Sequence, residues 1–193
     1  HLGDGKVYLE GGKSADIEIR FRHPRSNARC RLDWAVPNDK MPDAQRLMER
    51  AVNDGTKIFI IQSADEWSEF IAVNSKAVFK DKFFVGTNWL GGVMFNKPHD
   101  IFKELPVGNA LNWPYQALIH TGVERMGLVM EGEELLVGAY HTYPMAIGTA
   151  MGIVPMGKGS VLFSTLDIYG NIINDSAAGL VAKKLIFNMI DFK

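Results

Sequence analysis

The sequence predicts an α/β domain in which a mostly parallel sheet lies between two layers of helices. A helical segment at residues 42–55 leads within two residues into an apolar strand at residues 57–62, which is typical of a strand buried on both faces of such a sheet. Three later strand-like segments and a closing helix continue the pattern, at residues 134–141, 146–154, 160–168 and 176–190. A chain of 193 residues is predicted to form one domain, residues 1–193.

The N-terminal part has weaker signals. Residues 6–10 and 16–21 alternate apolar and polar side chains, which predicts strands. Residues 23–40 carry turn formers and two prolines, which predicts a long loop. We expect residues 1–31 to be either an edge extension of the domain or the end of a preceding domain.

The first predicted helix has clear boundaries, because Pro42 suits a first turn and Gly55 suits a helix stop. Its apolar residues share one face: Leu47, Met48, Ala51 and Val52. A second helix at residues 65–73 is expected to turn Trp67, Phe70 and Ile71 inward. Extended pieces at residues 77–86 and 91–95, and a short helical turn around "DIFKEL", follow it.

The stretch "GIVPMGKGS" comes within one residue of a phosphate-binding loop. Gly152, Gly157 and Lys158 fit that motif, but Gly159 stands where the motif needs a hydroxyl. The next residues, from 160 onward, are β-branched and aromatic, so they predict a strand and not the helix that would hold a phosphate. We therefore expect a tight turn between two strands, with Gly157 or Gly159 at positive φ.

Composition narrows the class of protein. Hydrophobic residues make up 47% and charged residues 22%, as in ordinary globular proteins. The net charge of -1 argues against a nucleic-acid binder. The basic residues clustered at 20–31 are interpreted as a solvated face of a loop, and an anion-binding patch is the alternative. A single Cys30 cannot form an internal disulfide, so the compartment stays open. No apolar run is long enough to span a bilayer.

The predicted order of elements is shared by flavodoxin-like domains and class I glutamine amidotransferases, which are three-layer sandwiches. The amidotransferases use a Cys on a glycine-flanked strand-to-helix turn and a His with a Glu two residues later. Cys30 has no flanking glycine, and none of His99, His120 and His141 has a Glu at that spacing. The scattered histidines predict no metal site, and no cofactor motif is present.

A glycosidase-type carboxylate pair is the other catalytic candidate. Asp100 and Glu104 are predicted to lie one helical turn apart, and two neighbouring carboxylates are what glycoside hydrolysis requires. Acid pairs at this spacing are common on solvated helices, so the structural interpretation is preferred.

Two stretches carry a resemblance to a known family: "GGVMFNKPHDIFKELPVGNALNWPYQAL" and "GKGSVLFSTLDI". From about residue 32 to the end, the chain resembles the glutamine-amidotransferase-like accessory domain that follows the catalytic barrel in some bacterial family 2 glycoside hydrolases. The resemblance implies a domain without the Cys-His-Glu machinery, in a parent enzyme whose catalytic carboxylates lie in another domain.

The resemblance thus implies a non-catalytic accessory domain of a carbohydrate-active enzyme, with a structural, interdomain or sugar-contacting role. Its partners would be other domains of the parent glycosidase and carbohydrate, and its location would be periplasmic or extracellular if the parent is secreted. The alternatives are a free-standing carbohydrate-binding module and an active hydrolase or amidotransferase. The candidate carbohydrate or interdomain contacts are Trp89, His99, Trp113, Tyr115 and His141.

Overall fold

The computed structural model describes residues 41–85, 92–108, 110–111, 113–120, 126–142 and 145–192. These residues belong to one compact unit that begins at Asp39. The predicted strands at residues 6–10 and 16–21, the loop and basic cluster that follow them, Cys30 and Trp89 lie outside the described residues.

Five α-helices and seven strands lie within the described ranges. The helices are α1 Met41–Asp54, α2 Ala64–Val73, α3 Gln116–His120, α4 Ile168–Ile172 and α5 Ala177–Asp191, with 3-10 turns at Asp100–Phe102 and Trp113–Tyr115. The strands are β1 Lys57–Ile60, β2 Val78–Phe84, β3 Gly92–Asn96, β4 Met126–Glu131, β5 Glu134–Thr142, β6 Met145–Met156 and β7 Gly159–Ser164. Strand β4 was not predicted from the sequence.

The strands form one sheet that is mostly antiparallel. The sheet runs in the order β1-β7-β6-β4-β2, with β5 paired to β6 and β3 paired to β5. Among the described pairings only β1 with β7 is parallel, so the predicted mostly parallel sheet is wrong. The physical reason is the short links from β5 to β6 and from β6 to β7, because parallel neighbours need a long crossover connection.

The three-layer arrangement follows from the alternation of side chains along the central strands. Ile58 and Ile60 of β1 belong to a core with α1 and α2, whereas Phe59 between them packs into a second core with α3, α4 and α5. Successive side chains of a strand point to opposite faces. The α/β class is therefore confirmed, with helices packed on both faces of the sheet in the described part of the chain.

Local chemistry explains three of the helix ends. Gly55 has φ 79° just past α1, as the predicted stop requires. Ser176 precedes α5 and its hydroxyl accepts a hydrogen bond from the N–H of Gly179 at 3.3 Å, so Ser176 caps the start of this helix. Asp167 caps α4 in the same way, since its carboxylate accepts from the N–H of Gly170. Strand β7 therefore ends at Ser164, earlier than the predicted end at residue 168.

The "MGKG" segment is a tight turn between β6 and β7. These strands are antiparallel neighbours, and Gly157 takes φ 60°. A Cβ on Gly157 would lie 2.4 Å from the carbonyl oxygen of Val52, and one on Gly159 would lie 2.2 Å from that of Thr56. Both glycines thus let the turn approach the C-terminal end of α1, and the predicted turn is confirmed.

Candidate functional site

Tyr115 is an internal residue. It is 2% exposed, and its hydroxyl donates to the carbonyl oxygen of Pro106 at 2.6 Å. The side chain of Asn96 donates to the same carbonyl at 2.8 Å and to the Tyr115 hydroxyl at 3.3 Å. Burial raises the pKa of Tyr115 to about 12, against the opposing hydrogen bond from Asn96. The residue therefore anchors the loop after β3 to the core.

His99 connects three parts of the fold. Its Nδ1 accepts a hydrogen bond from the N–H of Ile101 at 3.2 Å, so the side chain caps the first 3-10 turn. Its Nε2 lies 3.7 Å from a carboxylate oxygen of Glu134 on β5. Its ring packs on that of Phe192, with ring centres 4.9 Å apart. These contacts place a mostly buried imidazole in a structural role at this position.

The remaining predicted contact residues are His141, Trp113 and Trp89. His141 lies half-buried on β5, opposite Gly92 on β3 and Ala146 on β6. The backbone of Trp113 begins the second 3-10 turn. Trp89 lies outside the described residues.

A cleft of about 430 Å³ lies beside the C-terminal end of α5. Its lining residues are Asp100, Lys103, Lys184, Asn188, Asp191 and Phe192. Lys57 contacts one of these lining residues, since its ammonium group donates to the carbonyl oxygen of Phe192 at 2.6 Å and lies 4.7 Å from the centre of the Phe192 ring. Two lysines and two aspartates line the cleft, so the formal charge of its lining is zero.

The carboxylate pair proposed for glycoside hydrolysis does not share a helix. The 3-10 turn ends at Phe102, and Glu104 adopts a left-handed backbone with φ 63°. The Glu104 carboxylate accepts from the Lys184 ammonium at 2.5 Å, and this hydrogen bond and charge lower the pKa of Glu104. Glu104 therefore stays ionised near neutral pH, which is the wrong state for a general acid. Within the described ranges, no three His, Cys, Asp or Glu side chains are grouped as metal ligands would be.

An apolar surface that sequence reasoning missed lies on β3, β5 and the first half of β6. Val93, Tyr140 and Ile147 stand opposite one another across the three strands, and Phe95 lies opposite Gly138 in the neighbouring row. Side chains opposite one another share a face. We call this the open sheet face and define it as Val93, Phe95, Tyr140, Met145 and Ile147.

Three side chains of the open sheet face are exposed to solvent. Phe95 is 42%, Met145 84% and Ile147 68% exposed, while Met94 and Ala139, on the opposite side of the same strands, are buried in the core with α5. The Phe95 ring lies across Gly138, where a Cβ would come within 2.4 Å of it. Its only sequence signal is the apolar character of both "GGVMF" and "AIGTAMGIV"; the register that joins them could not be read from the sequence.

A second apolar surface runs along the outer side of α5. Leu180 is 66%, Phe187 64% and Ile190 64% exposed, and we call these three residues the α5 stripe. The inward side carries Ala182, Leu185 and Met189, all buried. Leu180 lies on the face of α5 opposite Leu185 and Met189.

The comparisons with known proteins found similarity to a solved structure. No protein-family model and no curated protein matches the chain. The chain is similar to the crystal structure of a cold-adapted β-galactosidase from Rahnella sp. R3, at 11% sequence identity and a TM-score of 0.41. The match covers 76% of this chain and 20% of that one, so the chain spans about a fifth of that protein's length. Within the described ranges, no helix is both long and apolar enough to cross a bilayer.

Proposed function

We propose that this chain is a non-catalytic accessory domain of a carbohydrate-active enzyme and that its open sheet face packs against another domain of the same polypeptide. The single observation that carries the proposal is the open sheet face itself. It presents five apolar side chains on three adjacent strands, with no charged residue among them. Apolar surfaces of this kind are typical of interfaces between partners that stay together.

Two further features support this function. His99, Tyr115 and Glu104 make structural contacts. This fits an accessory domain of an enzyme that carries its catalytic residues in another domain. The helices on both faces of the sheet and the parallel β1–β7 pair fit an amidotransferase-like ancestry, which the sequence resemblance suggests.

The first test is the mass of the native polypeptide, detected with an antibody raised against this chain. We expect a species several times heavier than 21.5 kDa that carries glycosidase activity. A native species near 21.5 kDa would overturn the proposal.

The second test places a charge in the open sheet face of that native polypeptide. Ile147→Glu should make the domain separate more readily from its neighbour, because a buried carboxylate without a partner is costly. We expect faster release of the domain by limited proteolysis, while kcat at the catalytic domain stays unchanged. Val73→Glu, at an exposed apolar residue at the end of α2, is the matched control. Equal proteolysis of both variants and the wild type would contradict the assignment of this face.

A carbohydrate-binding module is the competing function, because Phe95 and Tyr140 give the open sheet face two aromatic side chains on which a sugar ring could stack. Titration of the chain with an oligosaccharide panel distinguishes the two functions. Saturable binding that Ile147→Glu abolishes would favour the binding module, whereas a flat response on every glycan favours the domain interface.

A further inference from the structure

The cleft at the C-terminal end of α5 has walls that are fixed by contacts from distant parts of the chain. The side-chain amide of Asn188 donates to the carbonyl oxygens of Ile101 and Lys103, both at 2.9 Å, which ties α5 to the segment around the first 3-10 turn. The Phe192 carbonyl is held by the Lys57 ammonium group at 2.6 Å. A cleft whose walls are fixed in advance loses little conformational entropy when a ligand binds.

Asn188 presents a hydrogen-bond acceptor in this cleft. The residue is only 7% exposed, and its amide nitrogen donates to two backbone carbonyls, so the amide oxygen points away from them. Within the described ranges no donor reaches this oxygen, and no side-chain nitrogen or oxygen that lacks a partner is sealed from solvent. Because Asn188 lines the cleft, its amide oxygen is available to a ligand there.

Three charged residues in the same lining lack an ion-pair partner. Asp100, Lys103 and Asp191 are exposed, and none of them forms a salt bridge in the part of the chain that the structure describes. Lys184, by contrast, is paired with Glu104. The groups left for a ligand are therefore two carboxylates and an amide oxygen, which accept hydrogen bonds, and one ammonium group, which donates them.

This set of groups fits a small neutral ligand with several hydroxyl groups. Each hydroxyl both donates and accepts, so such a ligand can donate to the carboxylates and the Asn188 oxygen and accept from the Lys103 ammonium group. An ion is less suitable, because an anion would meet Asp100 and Asp191 and a cation would meet Lys103, in a lining whose formal charge is zero. The volume of about 430 Å³ is toward the lower end for ligand sites.

We propose that this cleft binds a neutral hexose or a short neutral oligosaccharide. The choice of a sugar among polyhydroxyl compounds rests on the proposed carbohydrate-active parent enzyme, whereas the cleft does not depend on the open sheet face. The Phe192 ring already contacts His99 and Lys57, so binding depends on hydrogen bonds more than on stacking. We therefore expect a dissociation constant on the order of millimolar.

Titration calorimetry of the 193-residue chain with glucose, galactose and lactose tests the site. We expect saturable binding of at least one of these sugars. Asp100→Asn and Asp191→Asn should each raise the dissociation constant about tenfold, because each replaces a charged acceptor with a neutral one. Asp175→Asn removes an exposed carboxylate just before α5 and outside the cleft, so this control should bind as the wild type does. Circular dichroism checks that each variant folds.

Three results would overturn the proposal: a flat response to every sugar well above the millimolar range, folded cleft variants that bind as the wild type does, or binding of myo-inositol with no binding of a sugar. Ile147→Glu should leave sugar binding unchanged. Binding that this variant abolishes and the cleft variants keep would belong to the open sheet face. The mass of the native polypeptide tests the accessory role separately, so the failure of one proposal is distinguishable from the failure of the other.

Discussion

Tyr115 shows how the surroundings decide the role of a single residue. Its neighbours Asn, Trp and Pro in "NWPYQ" are typical of a loop and led to its prediction as a contact residue. The fold instead buries the ring edge-to-face against Phe102, with ring centres 6.4 Å apart, and hydrogen-bonds its hydroxyl to Pro106. The local sequence is compatible with a buried Tyr115 ring and with a solvent-exposed one.

The raised pKa of Tyr115 predicts a pH dependence of stability. Because the pKa of Tyr115 in the folded chain is about 12, above the ordinary value of 10 for a tyrosine, folding favours the protonated form. This stabilisation is complete below pH 10 and is lost as the pH rises from 10 to 12, by roughly 2 kcal/mol. Tyr115→Phe lacks this ionisation, so its free energy of unfolding should fall less steeply over that range.

Urea unfolding at several pH values between 9 and 11.5 measures this effect. At neutral pH, Tyr115→Phe should cost about 1 kcal/mol through the lost hydrogen bond, and the gap to the wild type should shrink as the pH rises. Tyr169→Phe, at an exposed tyrosine, serves as the control. Parallel pH profiles for the wild type and Tyr115→Phe would show that the hydroxyl is not a source of alkaline instability.

At the scale of elements, the β6–β7 turn depends on its contact with α1. The N–H of Lys158 donates to the carbonyl oxygen of Val52 at 3.0 Å, and the turn glycines leave no space for a side chain at that point. The sequence predicted the turn and its glycine conformation correctly. It did not predict that α1 would be the neighbour, since that contact joins segments about a hundred residues apart.

Gly157→Ala should therefore destabilise the chain more than a positive φ alone explains. Gly108 has a similar φ of 76° with no atom near the position of a Cβ, so Gly108→Ala measures the backbone cost, about 1 kcal/mol. We expect Gly157→Ala to cost roughly 2–4 kcal/mol because its methyl group meets the backbone of Val52. Chemical denaturation of both variants measures the difference, and equal losses would show that the turn moves away from α1 without cost.

At the scale of the molecule, two cores share one sheet. Met48 of α1 belongs to the core with α2, and Met151 of β6 belongs to the core with α5. Strands β1, β6 and β7 contribute side chains to both cores. Disruption of the packing in one core should therefore expose side chains of the other core to solvent. The described unit is therefore expected to unfold as a single cooperative body.

Met48→Ala and Met151→Ala test this cooperativity. Each should lower the free energy of unfolding by about 2–5 kcal/mol, because both side chains are fully buried. The double variant should show a single transition and a nearly additive loss, within about 0.5 kcal/mol, since the two sites lie on opposite faces of the sheet. Two separate transitions, each shifted by only one substitution, would contradict a shared unfolding unit.

The sequence by itself determined the local features: the boundaries of α1 and α5, the turn at Gly157 and the apolar strands. These depend on chemistry within a few residues, such as a proline in a first helical turn or a glycine at positive φ. Only the tertiary structure decided the strand directions, the burial of Tyr115, and the exposure of the open sheet face and the α5 stripe. Those features depend on which segments pack against one another across the sheet. The stabilising contacts join residues that are far apart in the chain.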